Sequence, residues 1–463
     1  MPGSWTNSDL LLAPKPGAGR RRGLEEALRD AIRDGRIAVG ERLPATRVLA
    51  RDLGVSRGTV VEVYEQLIAE GYLSARQGSG TQVARLAVAP ALRDPEPAAP
   101  PARRYSFHPG MPEVTAFPAD QWVRALRRAL GGVRPERLGY QEPRGAPELR
   151  YALAAYLGRA RGVLTSPELV VTCAGFLRGL DLLCRTLRAQ GATRIAMENP
   201  TIPQHRQVAA AAGMEVLPLE VDDHGARVDQ LESSRADAVL LTPAHQFPLG
   251  STLSPERRSA VVEWAQRTGG YVIEDDYDGE FRYDRQPVGA LQALDPERVV
   301  YAGTASKTLA PGLRIAWLAM PPALLDPMLD IKRLGERQLP FTEELALAEL
   351  IESGDWDRHL RRMRGRYRSR RDRLIAMLAE RAPGTRALGI SAGLHAVVQM
   401  PARGPSERQL RARARERSVG VMALGSFWHD PRRRPQALVV GYGSPPEHRF
   451  AAALRALGDV IAR

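Results

Sequence analysis

Lys15, Lys307 and Lys332 are the only lysines among 66 basic residues, and arginine supplies the rest of the positive charge. A desolvated lysine can lose its proton and attack a carbonyl, whereas arginine stays protonated, so each lysine is a candidate nucleophile. Genomic base-composition bias with three survivors is the plain alternative. Lys307 stands out by its neighbours. It follows the apolar run VVYAGTAS, with the hydroxyls of Thr304 and Ser306 beside it and Arg314 seven residues on, in SKTLAPGLR. Asp275 ends a second apolar run, YVIED, and Tyr277 lies two residues beyond it. Pyridoxal phosphate chemistry needs an amine for a Schiff base, a carboxylate to keep the pyridine nitrogen protonated, and several donors for the phosphate. Lys307, Asp275, and the set Thr304, Ser306 and Arg314 meet those needs, with Tyr277 able to reach the phenolic oxygen. The expected cofactor is pyridoxal 5'-phosphate.

The elements that must hold these residues alternate between short apolar runs and helical stretches from about 104 to 340. RIAMEN, MEVLPLEV, AVLLTP, YVIEDD, VVYAGTAS and RIAWLAM each read as a buried strand, as parallel strands covered on both faces do. Functional residues in such sheets sit in loops after the carboxyl ends of the strands, which is where Asp275 and Lys307 fall. Residues 341–463 open with long helices through Glu380 and then give LHAVVQM and ALVVGYG as strands, a smaller α+β domain.

Ahead of this lies a different unit. In 22–83, Leu24, Ala27, Leu28, Ala31 and Ile32 keep the spacing of one buried helical face. A second helix runs from about Thr46 to Leu53, and Ser56 caps a third that carries Val60, Val63, Tyr64, Leu67 and Ile68. Tyr72 to Val83 then forms two short extended pieces around Gln77, Gly78, Ser79 and Gly80, a β-wing. Residues 1–21 read as a flexible tail. Residues 84–103, rich in Pro and Ala, read as a linker.

Composition fits this layout. The chain has 463 residues, a formal net charge of +13, 44% hydrophobic and 26% charged residues, and two cysteines. It is long enough for two or three cores, has no apolar stretch of membrane-spanning length, and shows neither a disulfide framework nor a leader-like N-terminus. A cytoplasmic protein with a polyanionic partner and no membrane association is expected. The charge excess is not in the small unit, where residues 1–83 hold twelve Lys+Arg against ten Asp+Glu. Residues 361–373 instead carry eight arginines. That run reads either as a helix covering the smaller domain or as a groove for DNA phosphate.

The segment LPATRVLARDLGVSRGTVVEVYEQLIAEGYLSARQGSGTQV resembles the GntR type of winged helix. The resemblance implies a recognition helix from Ser56 to Glu70, with Ser56, Arg57, Thr59 and Arg47 facing DNA and the wing at Gln77 and Gly78 near phosphate. Arg57 is the candidate for guanine, because a guanidinium fork matches that base's acceptors. With YQEPRGAPELR, TPAHQFPLG and EDDYDGEFRYDRQPVGALQALD, nearly the whole chain resembles the MocR/GabR family. This implies an α/β fold-type-I aminotransferase-like domain behind a winged helix-turn-helix, and a homodimer. It also implies Lys307 as the Schiff-base lysine, Asp275 at the pyridinium, Tyr277 at the ring oxygen and Arg314 on the phosphate. Tyr140 would reach the neighbouring subunit's phosphate, Gly175 and Phe176 would offer backbone N–H groups, and His245 would lie below the ring.

Three departures bear on activity. Val439 stands where amino-acid-processing relatives have an arginine for the substrate carboxylate. Ile202 and Gln204 replace a ring-stacking tyrosine and a second arginine, and Leu177 and Arg178 replace glutamines of the phosphate loop. Without a forked cation transamination should be poor, unless Arg206 substitutes. Three functions therefore stay open: a regulator of transcription that binds an operator and responds to pyridoxal phosphate itself, controlling vitamin B6 supply; a regulator sensing an amino compound through an external aldimine; and a working aminotransferase with a vestigial DNA-binding domain.

Overall fold

The computed structural model describes residues 19–76, 80–84, 104–283, 288–430 and 435–462. The wing residues Gln77 and Gly78, the tail up to residue 18 and all but Ala84 of the Pro/Ala segment lie outside them. The chain divides into two units, Met1–Pro101 and Ala102–Arg463.

The first unit packs three helices, Arg20–Arg33, Thr46–Leu53 and Arg57–Ala69, against a hairpin of β1 (Leu73–Arg76) and β2 (Gly80–Val83). Leu24, Leu28, Leu49, Val60, Val63, Leu67, Leu73 and Val83 form its core. Gly54 ends the second helix at φ +62, a left-handed turn that a β-carbon disfavours. The Ser56 hydroxyl accepts the Thr59 N–H at 3.1 Å and caps the third.

The second unit begins with β3 (Tyr105–Ser106). Its main sheet is built from β4 (Val170–Cys173), β5 (Arg194–Asn199), β6 (Glu215–Asp222), β7 (Gly225–Ala226), β8 (Ala238–Leu241), β9 (Tyr271–Asp275), β10 (Val299–Thr304) and β11 (Ala316–Ala319). The spatial order is β4-β11-β10-β9-β8-β5-β6-β7. From β10 through β6 every pairing is parallel, and Asp275 on β9 sits beside Ala302 on β10. The expectation of a parallel strand fails at RIAWLAM: β11 runs antiparallel to both β10 and β4. An apolar run buried on both faces reads the same in either direction, so composition does not carry the sense.

Separate apolar clusters fill the two faces of this sheet. β12 (Arg386–Leu388), β13 (Ala396–Gln399), β15 (Met422–Ala423) and β16 (Ala437–Val440) make a four-stranded antiparallel sheet, and β14 (Val419–Gly420) pairs with β3. The Arg-rich run lies in the helix Asp355–Arg381 and divides by face. Arg370, 1% exposed, pairs with Glu113 at 2.8 Å and with Glu447, whereas Arg361, Arg362 and Arg368 are exposed. Among the described residues no helix is long and apolar enough to cross a membrane.

Candidate cofactor site and DNA-reading face

Asp275, at the carboxyl end of β9, is buried. Lys307, half-buried, follows the adjacent β10. Burial pushes the Asp275 carboxyl well up, against the opposing pull of the Lys307 charge. Burial also lowers the Lys307 amine, against Asp275 and Asp278. The two groups thus share one electrostatic environment, yet their N and O atoms stand more than 4.0 Å apart. Neither side chain has a hydrogen-bond partner among the described residues. Desolvating an ionisable pair that has no hydrogen bonds is costly, and a polar ring lying between the two groups would satisfy both.

The two neighbouring carboxylates are already engaged. Asp276 receives the Arg161 guanidinium at 2.6 Å, with both side chains 2% exposed, and the Tyr301 hydroxyl at 2.7 Å. Asp278 lies 2.9 Å from His245 Nδ1. Of these acids, Asp275 alone is left for something else.

Tyr277 and His245 are brought together: the Tyr277 hydroxyl lies 3.0 Å from His245 Nδ1 and donates to the His245 carbonyl at 3.1 Å. Gly393, at φ +80, leaves room for the imidazole, since a Cβ there would come within 2.4 Å of His245 Cε1.

The residues expected to meet a phosphate come from three segments. Gly175, at φ +83, precedes the helix Phe176–Ala189; its own N–H is spent on the Cys173 carbonyl at 2.7 Å, contrary to the expectation that it is offered to a phosphate, and the open N–H groups at that end begin with Phe176. The Arg314 guanidinium lies against it: a Cβ on Gly175 would meet Arg314 Nη2 at 2.7 Å. Arg314 also donates to the Ala174 carbonyl at 2.7 Å. The Thr304 hydroxyl is spent on the Ile315 carbonyl at 3.2 Å and on Ser306 at 3.0 Å, so it shapes the loop that presents Ser306 and Lys307. The Phe176 ring packs edge-on to His205, with centroids 5.1 Å apart. Tyr140 is 86% exposed, with the Arg337 guanidinium 5.0 Å from its ring centre. An amine, an unpaired carboxylate and a glycine-lined cationic cradle fit pyridoxal phosphate.

The carboxylate end of an amino substrate has no comparable provision. Val439 is fully buried among Phe247, Tyr277, Leu424, Phe427 and Trp428. Arg206, the possible substitute, is tied to the carbonyls of Phe427 at 2.9 Å and of Thr201 and Trp428 at 3.4 Å.

Sequence reasoning missed several neighbours. Gly110 closes over the amine, its Cβ position 3.3 Å from Lys307 Nζ. His205 is buried and pushed down to about 3, by burial and then by the charges of Lys307 and Arg206. His395 is fully buried, 5.3 Å ring to ring from His245, with Nδ1 unpartnered. LHAVVQM gives no chemical signal for His395, whereas Asp278 was visible in EDDYD, three residues after Asp275.

On the first unit, Arg47 and Arg57 are exposed at the starts of consecutive helices, and neither makes an ion pair among the described residues. The Ser56 and Thr59 hydroxyls lie 2.8 Å apart.

Comparison with known proteins agrees with this division. Residues 20–83 match the family described as bacterial regulatory proteins, gntR family, and residues 112–434 match aminotransferase class I and II. The chain is similar to a probable rhizopine catabolism regulatory protein MocR of Rhizobium meliloti, at 35% identity over 94% of this chain and 92% of that one. It is also similar to the HTH-type pyridoxine biosynthesis transcriptional regulator PdxR of Corynebacterium glutamicum, at 31% identity over 95% of each. Among solved structures, an archaeal alanine:glyoxylate aminotransferase superposes with a TM-score of 0.70 at 25% identity, covering 77% of this chain and 90% of that one.

Proposed function

The chain belongs to the MocR type of GntR transcription regulators, which join a DNA-binding winged helix to a pyridoxal-phosphate-dependent aminotransferase fold, and from this premise we propose that its effector is pyridoxal phosphate itself. The observation that carries the reading is the asymmetry of the site. Asp275, Lys307, Gly175 and Arg314 provide for the cofactor, while Val439 and the carbonyl-bound Arg206 leave an amino acid's carboxylate without a free fork. The similarity to a regulator named for pyridoxine biosynthesis supports control of vitamin B6 supply.

In this reading Lys307 would hold the cofactor covalently, Asp275 would serve as counter-ion to the ring nitrogen, and Tyr277, fixed by His245, would serve the ring oxygen. Arg314, Ser306 and the backbone N–H of Phe176 would hold the phosphate, with Gly175 leaving the space for it. When bound, the cofactor supplies an electrophilic carbon and an electron-poor ring. Two chains pair through the aminotransferase-like unit, with Tyr140 of each completing the other's phosphate site. Arg47, Ser56, Arg57 and Thr59 meet the operator, joined by the wing at Gln77 and Gly78. The effector acts by binding one arrangement of the DNA-reading units more tightly than another.

An operator selected from random duplexes provides the test. Its affinity for the purified protein should change on cofactor addition, and Lys307→Ala should remove that change while leaving basal binding intact. Cofactor-independent affinity in the unsubstituted protein would refute the reading.

A second reading, in which an amino compound is needed as well, is favoured by Arg206, a half-buried cation with no carboxylate partner among the described residues. It predicts that candidate amines shift both the visible absorbance of the loaded protein and its operator affinity.

A further inference from the structure

Arg411 and Arg415 lie four residues apart in the helix Glu407–Glu416, so both leave the same helical face. They line a cavity of about 340 Å³ together with Ser106, His108 and Ser426. That size lies at the lower end of small-ligand sites. Both arginines are exposed, and neither guanidinium makes an ion pair or hydrogen bond among the described residues.

The acid best placed to neutralise Arg411 is Glu407, one turn earlier. Its carboxylate is engaged elsewhere, accepting the N–H groups of Gly425 at 3.1 Å and Ala437 at 3.2 Å. Glu416, beside Arg415 in sequence, pairs with Arg417 at 3.5 Å. His108 Nδ1 lies 2.9 Å from the Pro109 carbonyl, and its other ring nitrogen has no partner among the described residues. Two forked cations, an imidazole and two hydroxyls therefore line one concavity, where the Glu407 charge opposes that of Arg411 alone, from one turn away, and Arg415 has no ion-pair partner among the described residues.

We propose that this cavity is a second anion site, separate from the cradle at Arg314, and that it takes a phosphate monoester. A carboxylate has two oxygens and one charge, fewer than this donor set can use. A phosphate ester brings three terminal oxygens and close to two charges, which suits two guanidinium forks with hydroxyls at the rim. The volume leaves room for a short carbon chain beyond the phosphate.

The site is joined to the cofactor pocket by a short piece of chain. Phe107 N–H donates to the Gly420 carbonyl at 2.7 Å, and three residues later Gly110 covers the Lys307 amine. A ligand held by Ser106 and His108 thus touches the segment that closes over Lys307. The inference stands whether or not pyridoxal phosphate proves to be the effector.

Titration calorimetry on the full-length protein, loaded with pyridoxal phosphate so that the Arg314 cradle is filled and then dialysed free of excess cofactor, which is itself a phosphate monoester, tests it with glycerol 3-phosphate and with glycerol as the neutral control. One saturable site per chain is expected for the ester and none for glycerol. Arg411→Gln and Arg415→Gln should each weaken binding roughly tenfold or more, and the double substitution should abolish it. The visible absorbance of the loaded cofactor reports that the variants fold. Absence of saturable ester binding, or undiminished binding in the double variant, would overturn the proposal.

Discussion

Asp275 ends β9 and Lys307 follows the end of the adjacent parallel strand β10; the two feel each other's charge and have no hydrogen-bond partner of their own among the described residues. Desolvating both groups without a hydrogen bond is costly, because the attraction between them offsets burial only in part. A resident cofactor in contact with both would account for the arrangement.

Asp275→Asn should therefore act in opposite directions on the two forms of the protein. Without cofactor, the neutral amide removes a buried carboxyl that is hard to ionise, and thermal stability should be unchanged or raised. With cofactor, the ring nitrogen loses its counter-ion, and the stabilisation gained on cofactor addition should shrink by about 1–3 kcal/mol. Differential scanning fluorimetry with and without pyridoxal phosphate reads both signs. A fall in stability without cofactor would contradict the idea that the carboxylate waits for a ligand.

Gly175→Ala tests the cradle. A methyl group there would lie 2.7–2.9 Å from three atoms of the Arg314 guanidinium, on a backbone at φ +83 that L side chains rarely adopt. Arg314 must then swing away, taking a charge-assisted contact from the phosphate. Cofactor affinity, followed by fluorescence quenching, should fall roughly tenfold or more. Operator binding in the absence of cofactor should be unaffected.

How much of this was legible beforehand depended on whether the signal was local. Lys307 and Asp275 are picked out because each closes an apolar run, and Arg314 because it opens one; strands β5, β6, β8, β9 and β10 follow the same runs closely. The direction of β11 did not show, because burial on both faces leaves no polarity along the strand. The fates of individual arginines did not show either. Arg370 looks like any other residue of the run 361–373, and its buried partner Glu113 is 257 positions away. Asp276 and Asp275 are adjacent in sequence, and only the fold assigns one to Arg161 and leaves the other unpaired.

Glu198 makes stability depend on pH. Burial pushes its carboxyl up to about 7, although Thr242 and Gln246 donate to it and favour the charged form. The folded state therefore holds a proton that the unfolded chain, near the ordinary carboxyl value of 4.5, releases. Stability from this group is full below the unfolded value and is lost as pH rises through the folded one. Glu198→Gln should flatten the decline between pH 4.5 and 7 and raise stability at alkaline pH by about 3 kcal/mol at most. Urea unfolding of both proteins at pH 5.5 and 8.5 checks the slope, and an unchanged slope would rule out Glu198 as its source.

Val439→Arg asks whether a carboxylate anchor can simply be put back. The position is fully buried on β16, against Met422 and Val397 on either side and within the cluster of Phe247, Phe427 and Trp428. A guanidinium there would have to desolvate without a partner, so a loss of roughly 3–5 kcal/mol is expected. Turnover of amino acids should not appear. Sustained transamination by a folded Val439→Arg protein would show instead that the chain is a catalyst one residue short.

The last expectation separates reading from folding on the DNA side. Ser56 and Arg57 are adjacent, but the Ser56 hydroxyl caps the helix Arg57–Ala69, whereas the exposed Arg57 guanidinium makes no ion pair within the described unit. Ser56→Ala should lower the stability of the first unit by about 1 kcal/mol and weaken binding to all sequences alike. Arg57→Ala should leave stability within about 0.5 kcal/mol of the parent. It should nonetheless reduce discrimination between operator and random duplex by about 1–3 kcal/mol, because a forked contact to a base edge is lost. Competition binding at fixed salt, alongside unfolding curves, distinguishes the two. Equal loss of affinity for operator and random DNA in the Arg57 variant would assign that guanidinium to phosphate rather than to a base, and the visible absorbance of the cofactor should be the same in both variants.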